Sequence, residues 1–332
     1  MDLLPFERLK RKVLIKREAE SSGQYGHDTA QRPIGILLDM GIINLNKPAG
    51  PSSHQVADYV QKILDIKRSG HSGTLDPKVT GVLPLALGRG TRIVQALLTA
   101  GKEYVCLMHL HKEVSQSKVH KVMKSFIGKI QQIPPIRSAV KRQQRTREIY
   151  YLTIMEIEEK DVLFRVGCQA GTYIRKLCFD IGKKLGMGAH MAQLVRTKAG
   201  PFTDRDWVTL HDLKDAYEIY KETQNQMYLR KAILPVEAGV AHLAQVWVLD
   251  TAVDSVAHGA DLSLPGVARF HDTLAKGEMV AVLTLRGELV CLGEALMDAK
   301  AVGSQEKGVA VKTLKVFMDR QVYPKFKKSS DG

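Results

Sequence analysis

The chain has 332 residues, with 49 Lys+Arg against 35 Asp+Glu and a formal net charge of +14, too long for one compact core, so two domains of unequal size are expected. Hydrophobic residues at 44% and charged residues at 25% exclude a disordered chain. No apolar run reaches the roughly 18 residues that a membrane helix needs, and the basic N-terminus has no apolar signal core, so a cytoplasmic protein that makes no use of a membrane is expected.

Cys106, Cys168, Cys178 and Cys291 are scattered without a Cys-x-x-Cys pair. That pattern excludes a thiolate zinc ribbon and offers no disulfide framework, so the four read as small core residues of a reducing compartment. Residues 1–245 hold 38 Lys+Arg and 24 Asp+Glu, whereas residues 246–332 hold 11 of each. The whole positive excess therefore lies in the first part, which points to a polyanion partner, nucleic acid first.

In chain order, Arg8, Lys10, Arg11, Lys12, Lys16 and Arg17 form a basic arm, readable as a phosphate contact, as a solvated tail, or as a segment packed against the C-terminal β domain. The polar stretch 18–33 reads as a linker or surface wrap. Ile42 to Leu45 reads as a strand running into the rigid loop Lys47-Pro48-Ala49-Gly50-Pro51. Ser52 or Ser53 then caps a helix with Val56, Val60, Ile63 and Leu64 on one face. A Gly-rich loop, 70–81, precedes the apolar strand 82–87.

Residues 104–110, 149–157 and 162–168 read as strands from their β-branched and aromatic content. Between the first two, Pro134-Pro135 opens a loop bearing Arg137, Lys141, Arg142, Arg145 and Arg147, which reads as a phosphate grip. Thr172 is placed to cap a helix carrying Ile174, Leu177, Cys178 and Ile181, closed by Gly186 and Gly188. A further helix spans 209–220. From Trp247 the pattern turns to short strands with glycine turns, including a hairpin over 280–292. Mixed helices and strands followed by a compact β unit predict an α+β fold, with a mixed, mainly antiparallel sheet in the larger domain.

The stretch Gly70-His71-Ser72-Gly73-Thr74-Leu75-Asp76-Pro77 presents one carboxylate on a stiff loop: the glycines allow close approach of a ligand, and Pro77 extends the residue before it. A nucleophilic triad is not expected from His71, Ser72 and Asp76, which crowd a single loop. Gly88-Arg89-Gly90 lacks the spacing of a nucleotide loop. His109 and His111 alternate on a strand without a carboxylate pair, so no metal site is expected.

This stretch, with the strand that follows it, resembles the catalytic motif of the TruB family of pseudouridine synthases. Lys47 to Ser53 resembles that family's first motif, Lys102-Glu103-Tyr104 its tyrosine motif, and Gly171-Thr172-Tyr173-Ile174-Arg175-Lys176-Leu177 its third. The likeness is to the dyskerin type, the catalytic subunit of box H/ACA ribonucleoproteins, in an archaeal form. It is carried by Pro134 to Arg142, Tyr150-Tyr151-Leu152, Gly188 to Met191 and His258 to Gly266. Val195 stands where the archaeal pattern has an Arg, and Ala257 where a Cys is common.

The resemblance implies a basic arm (1–35), a pseudouridine synthase domain (36–240), a PUA domain (246–323) and a short basic tail (324–332). It implies Asp76 as nucleophile or base, Arg175 as its partner cation, Tyr104 as the aromatic that stacks on a flipped base, and Tyr173 near the C5 proton. Lys47 is expected to order the site or touch phosphate, His71 to lie near the flipped nucleotide, and Leu194 to wall the base pocket. His258, Gly259 and Ala260 start the RNA-facing region of the PUA domain. No cofactor is needed, because isomerising uridine transfers no net electrons. The implied partners are guide RNA, rRNA and tRNA, a zinc-ribbon-like protein, a barrel protein and a kink-turn binder. A non-catalytic RNA scaffold is the alternative.

Overall fold

The computed structural model describes residues 2–134 and 143–325, and its named strands join two sheets. The larger runs in the order Leu234–Pro235, Gly41–Lys47, Thr80–Leu87, Ala189–Ala199, Lys102–Leu110, Asp161–Cys168, Arg145–Glu158, Gly128–Gln132, with Ser69–His71 and Phe202–Thr203 added at its middle. Between its named strands, all pairings are antiparallel except one. Thr80–Leu87 meets Ala189–Ala199 in parallel, through only Thr80↔Val195 and Gly81↔Arg196. Gly81 sits at φ +104, and a Cβ there would stand 2.2 Å from the Arg196 carbonyl oxygen, so only glycine lets the strands close. This short seam joins the two halves of the sheet.

Helices cover the apolar faces of each half. Ser53–Leu64 starts in a capping box: Ser52 Oγ accepts from Gln55 N at 3.2 Å, and Gln55 Oε1 accepts from Ser52 N at 2.8 Å. Its Val56, Val60 and Leu64 share a core with Ile43, Leu45, Leu83 and Leu85. Ile174–Leu185 lays Leu177, Cys178 and Ile181 on Cys106, Phe164 and Val166. Thr172 does not cap this helix. Its hydroxyl donates to Gln169 O at 2.6 Å, and Tyr173 takes the cap position without a side-chain bond.

The smaller sheet contains Val13–Ile15, Val267–His271, Ala244–Val248, Met279–Thr284, Leu289–Ala295, Val309–Val316 and Leu262–Ser263 in that order. Its back shares one apolar layer with the larger sheet, where Ile42, Val82, Ala86 and Leu97 meet Ala281, Leu283, Leu292 and Phe317. The N-terminal arm is neither a solvated tail nor a strap left free for phosphates. Val13–Ile15 extends the smaller sheet as an edge strand, antiparallel to Val267–His271. Arg11 donates to the carbonyls of Ala241 and His242, and Lys16 and Arg17 pair with Glu306. Residues 18–33 wrap onward, with Ser21 on Asp250 and Arg32 in a fork with Glu237. All four cysteines are buried.

Candidate active site

The loop carrying Asp76 is pinned from both sides by the element that precedes it. Ser53 Oγ accepts from Leu75 N at 2.8 Å and donates to Leu75 O at 3.2 Å. Lys47, wholly buried, donates to Pro48 O, Pro77 O and Val79 O at 2.8, 3.1 and 2.9 Å. Its ammonium thus serves three carbonyls of the loop region, an arrangement that suits the ordering role more than the phosphate contact. Burial pushes Lys47 below the usual lysine range, and Asp76 opposes that fall.

Asp76 meets Arg175, which lies 99 residues further along the chain, in a direct ion pair. Arg175 stands in the first turn of Ile174–Leu185, where a cation is opposed by the helix dipole. The two side chains are 54% and 52% exposed, and such a pair adds only about 0–1 kcal/mol to stability. Folding energy does not account for placing an arginine there. Tyr173, the residue before the helix, is fixed through its backbone: its N–H donates to Gln132 Oε1 at 3.0 Å, and its carbonyl accepts from Gln132 Nε2 at 3.2 Å.

The Lys102-Glu103-Tyr104 run has a physical reading. Lys102, buried, donates to the carbonyls of Leu97, Leu98 and Ala100 at 2.8, 3.1 and 2.6 Å, and burial pushes it down to about 7. Glu103, also buried, accepts from Tyr151 Oη at 2.6 Å and Thr197 Oγ1 at 2.8 Å. The two charged neighbours anchor the strand, so Tyr104 is held in register opposite Arg196. Burial pushes the Tyr104 phenol up, and the Arg196 guanidinium facing it opposes that rise by charge and hydrogen bonding. Leu194, opposite Cys106, borders the same apolar cluster as Tyr104.

His71 is partly buried, its ring edge-on to His54 at 4.8 Å. Burial, then His54 and Arg196, push its pKa below the ordinary value, so it is neutral near pH 7. The structure therefore brings Lys47, His71, Asp76, Tyr104 and Arg175 into one neighbourhood at the seam, turns Ser53 from a candidate cap into the pin of the loop, and adds two residues the sequence reading missed: Gln132 and Arg196. Arg196 had a signal, a charge inside an otherwise partly apolar run. Gln132 had none.

The remaining residues lie apart. Arg145 begins the strand Arg145–Glu158, opposite Gln132, while Arg137, Lys141 and Arg142 fall outside the described residues. His258 closes the helix Asp250–Ala257 and donates from Nδ1 to Asp254 O at 2.7 Å. Gly259 follows at φ +94, and Ala260 O accepts from Thr313 Oγ1 at 2.8 Å. His258 and Gly259 line a cleft of about 540 Å³ with Arg89 and Arg92 from the 3-10 helix Gly88–Ile93, Lys315 from the strand Val309–Val316, and Arg320. Among the described residues, no three His, Cys, Asp or Glu side chains converge as metal ligands, and no helix is long and apolar enough to cross a membrane.

Four family models match in succession: the DKCLD (NUC011) domain over residues 4–57, the N-terminal domain of TruB family pseudouridylate synthase over 61–174, the tRNA pseudouridylate synthase B C-terminal domain over 175–241, and the PUA domain over 244–317. The class they define is an RNA-modifying synthase body followed by a PUA domain. A probable tRNA pseudouridine synthase B of Thermococcus onnurineus (strain NA1) is 55% identical over 97% of each chain. One of Pyrococcus furiosus is 53% identical over 99% of this chain and 97% of its own. A solved Cbf5-Nop10-Gar1 complex contains a chain 53% identical, with a TM-score of 0.94 over 98% of this chain and 99% of that one. A structure of an H/ACA RNP bound to a substrate RNA containing 2′-deoxyuridine gives 51% identity and a TM-score of 0.92 over 98% and 99%. The chain belongs to the TruB family of pseudouridylate synthases and is a pseudouridine synthase of α+β fold.

Proposed function

We propose that the chain isomerises uridine in RNA with Asp76 as the group that attacks or deprotonates, working as the catalytic subunit of a guide-directed box H/ACA particle on rRNA. It also acts without a guide on the T-loop uridine of tRNA. The observation that carries this is the Asp76–Arg175 pair, held on two pinned elements and half open to solvent. The pair sets a carboxylate, the group a nucleophile or base requires, beside a cation and within reach of solvent.

The base leaves its stack to reach Asp76, at a cost of a few kcal/mol. Stacking on Tyr104 returns about 1–3 kcal/mol of that. Leu194 walls the pocket, His71 lies beside the extruded nucleotide, and Tyr173 assists removal of the C5 proton after the ring rejoins through carbon. Residues 36–240 form the catalytic unit and 246–323 the RNA-docking unit, with His258, Gly259 and Ala260 at guide or acceptor ends. Arg137, Lys141, Arg142 and Arg145 grip phosphate. Likeness to chains solved with Nop10, Gar1 and substrate RNA supports partners of those kinds. A kink-turn RNA binder and a cytoplasmic location belong to the same proposal.

Tritium release from C5-labelled uridine in a tRNA transcript tests this, with the wild-type protein set against Asp76→Asn. Release that vanishes in the variant is the expected result. Equal release from both sinks the role of Asp76. Absence of release from the wild type, even with guide RNA and partner proteins added, leaves the scaffold alternative.

A further inference from the structure

We propose that Arg196 is a positioning residue for this site, holding the loop 70–77 and the Tyr104 strand in one fixed relation through its forked guanidinium. The inference rests on the reading of Asp76 and Tyr104 given above and extends it to a residue behind them.

Arg196 is only 1% exposed and heads the fully buried side chains by volume. From the strand Ala189–Ala199 it reaches three segments. Nε donates to Val82 O at 2.7 Å, on the strand that leaves the loop. Nη2 donates to Gly73 O at 3.3 Å, three residues before Asp76. Arg196 also stands directly opposite Tyr104 in the strand register, where its charge opposes the rise that burial gives the phenol. Its own backbone forms the seam with Gly81.

The charge has an unfavourable setting. The ion pairs among the described residues do not include Arg196, Lys47 or Lys102, all three buried. Arg196 depresses the proton affinity of Lys47, Lys102 and His71 alike. Burying a cation among cations without a carboxylate is costly, and a glutamine would brace one carbonyl with less penalty. What neither glutamine nor lysine supplies is a rigid planar fork that bonds carbonyls of two segments at once from the position opposite Tyr104. That reach matters where a displacement of about 1 Å costs on the order of 100-fold in rate.

The test measures single-turnover pseudouridine formation on a tRNA transcript by wild type, Arg196→Lys and Arg196→Lys in a Tyr104→Phe background, alongside thermal melts. Arg196→Lys keeps the charge and loses the fork. The expected result is a rate lower by about tenfold or more, with half-saturation for RNA within about twofold and the melting temperature within a few degrees. In the Tyr104→Phe background the Lys effect shrinks, because the two residues act in one contact network.

Full activity in Arg196→Lys, a change confined to RNA affinity, a rate loss that only follows loss of folded protein, or full additivity with Tyr104→Phe overturns the inference. Should Arg196→Lys fail to fold, Gly73→Ala probes the same contact from the loop side. Gly73 sits at φ +121, and an added Cβ meets Leu98 Cδ2 at 3.9 Å and Arg196 Nη1 at 4.0 Å, ordinary contacts, so the strain falls on the loop backbone. A rate loss with RNA affinity kept is expected there, and unchanged rate overturns the proposal. Persistent activity in Asp76→Asn is a different failure, that of the underlying reading.

Discussion

Gln132 and Tyr173, 41 residues apart, form a side-chain copy of a backbone pair: the amide oxygen of Gln132 accepts from the Tyr173 N–H at 3.0 Å and its amide nitrogen donates to the Tyr173 carbonyl at 3.2 Å. Gln132 is the last residue of Gly128–Gln132 and is almost fully buried, whereas Tyr173 opens the helix that carries Arg175. One side chain thus sets where the helix begins, and with it the reach of the arginine toward Asp76.

Gln132→Ala leaves the Tyr173 amide without its partner in a nearly dry place, a cost of about 1–3 kcal/mol. The expected outcome is a melting temperature lower by a few degrees and a turnover rate down by about tenfold, read by calorimetry and tritium release. A variant as active as wild type would show that Arg175 does not depend on this anchor.

Lys47 gives a second prediction, one that separates two physical roles. A lysine on phosphate contributes about 0.9 to the slope of log affinity against log salt. A lysine on Pro48, Pro77 and Val79 carbonyls contributes nothing to it. Lys47→Met is expected to lose most activity and several degrees of stability while the salt slope of RNA binding stays unchanged. A slope reduced by about one unit would restore the phosphate role.

What the sequence revealed of this site follows from the kind of force involved. The helix Ser53–Leu64 was readable because capping and a 3.6-residue apolar stripe are local. Ala189–Ala199 was not read as a strand, because its His, Gln, Arg and Lys obscure any alternation. It is a strand because it is clamped between Thr80–Leu87 and Lys102–Leu110. With it went Arg196, whose position depends on a pairing more than 100 residues distant in sequence. Asp76 and Arg175 were brought together by the likeness of their motifs alone, since no periodicity links positions so far apart. Thr172 was expected to cap a helix by composition, but its hydroxyl found the nearer Gln169 carbonyl first.

The N-terminal arm supports a third prediction. Its fold is structural: Leu4 is fully buried, Glu7 pairs with Lys198 at 2.9 Å, and Val13–Ile15 closes the edge of the smaller sheet. Burying Leu4 alone contributes about 1.5–3 kcal/mol. Removing residues 1–17 is expected to lower the melting temperature by about 5–10 °C, at roughly 2–4 °C per kcal/mol. Six cations on phosphate would change the salt slope of RNA binding by about 5. A change below about 2 is expected instead, because Arg11, Lys16 and Arg17 already bond within the protein.

His242 supplies a pH dependence with a definite sign. It is 7% exposed at the junction of the two sheets, where Nε2 donates to Ala96 O at 3.2 Å and Phe6 packs edge-on at 5.9 Å. Burial pushes its pKa down to about 4, Lys102 and Arg11 add to the fall, and the Ala96 carbonyl opposes it. The folded protein therefore binds this proton less readily than the unfolded chain, whose histidine titrates near 6.5. Its contribution is fully present above about pH 6.5 and is lost as pH falls toward 4, a change of about 2–3 kcal/mol by pH 4.5. His242→Gln keeps a donor for Ala96 and removes the proton site. Urea unfolding at pH 7 and 4.5 is expected to show a smaller acid loss in the variant by that amount. Parallel losses in the two proteins would mean that His271 or His71, whose pKa values are also lowered by burial, carries the acid sensitivity instead.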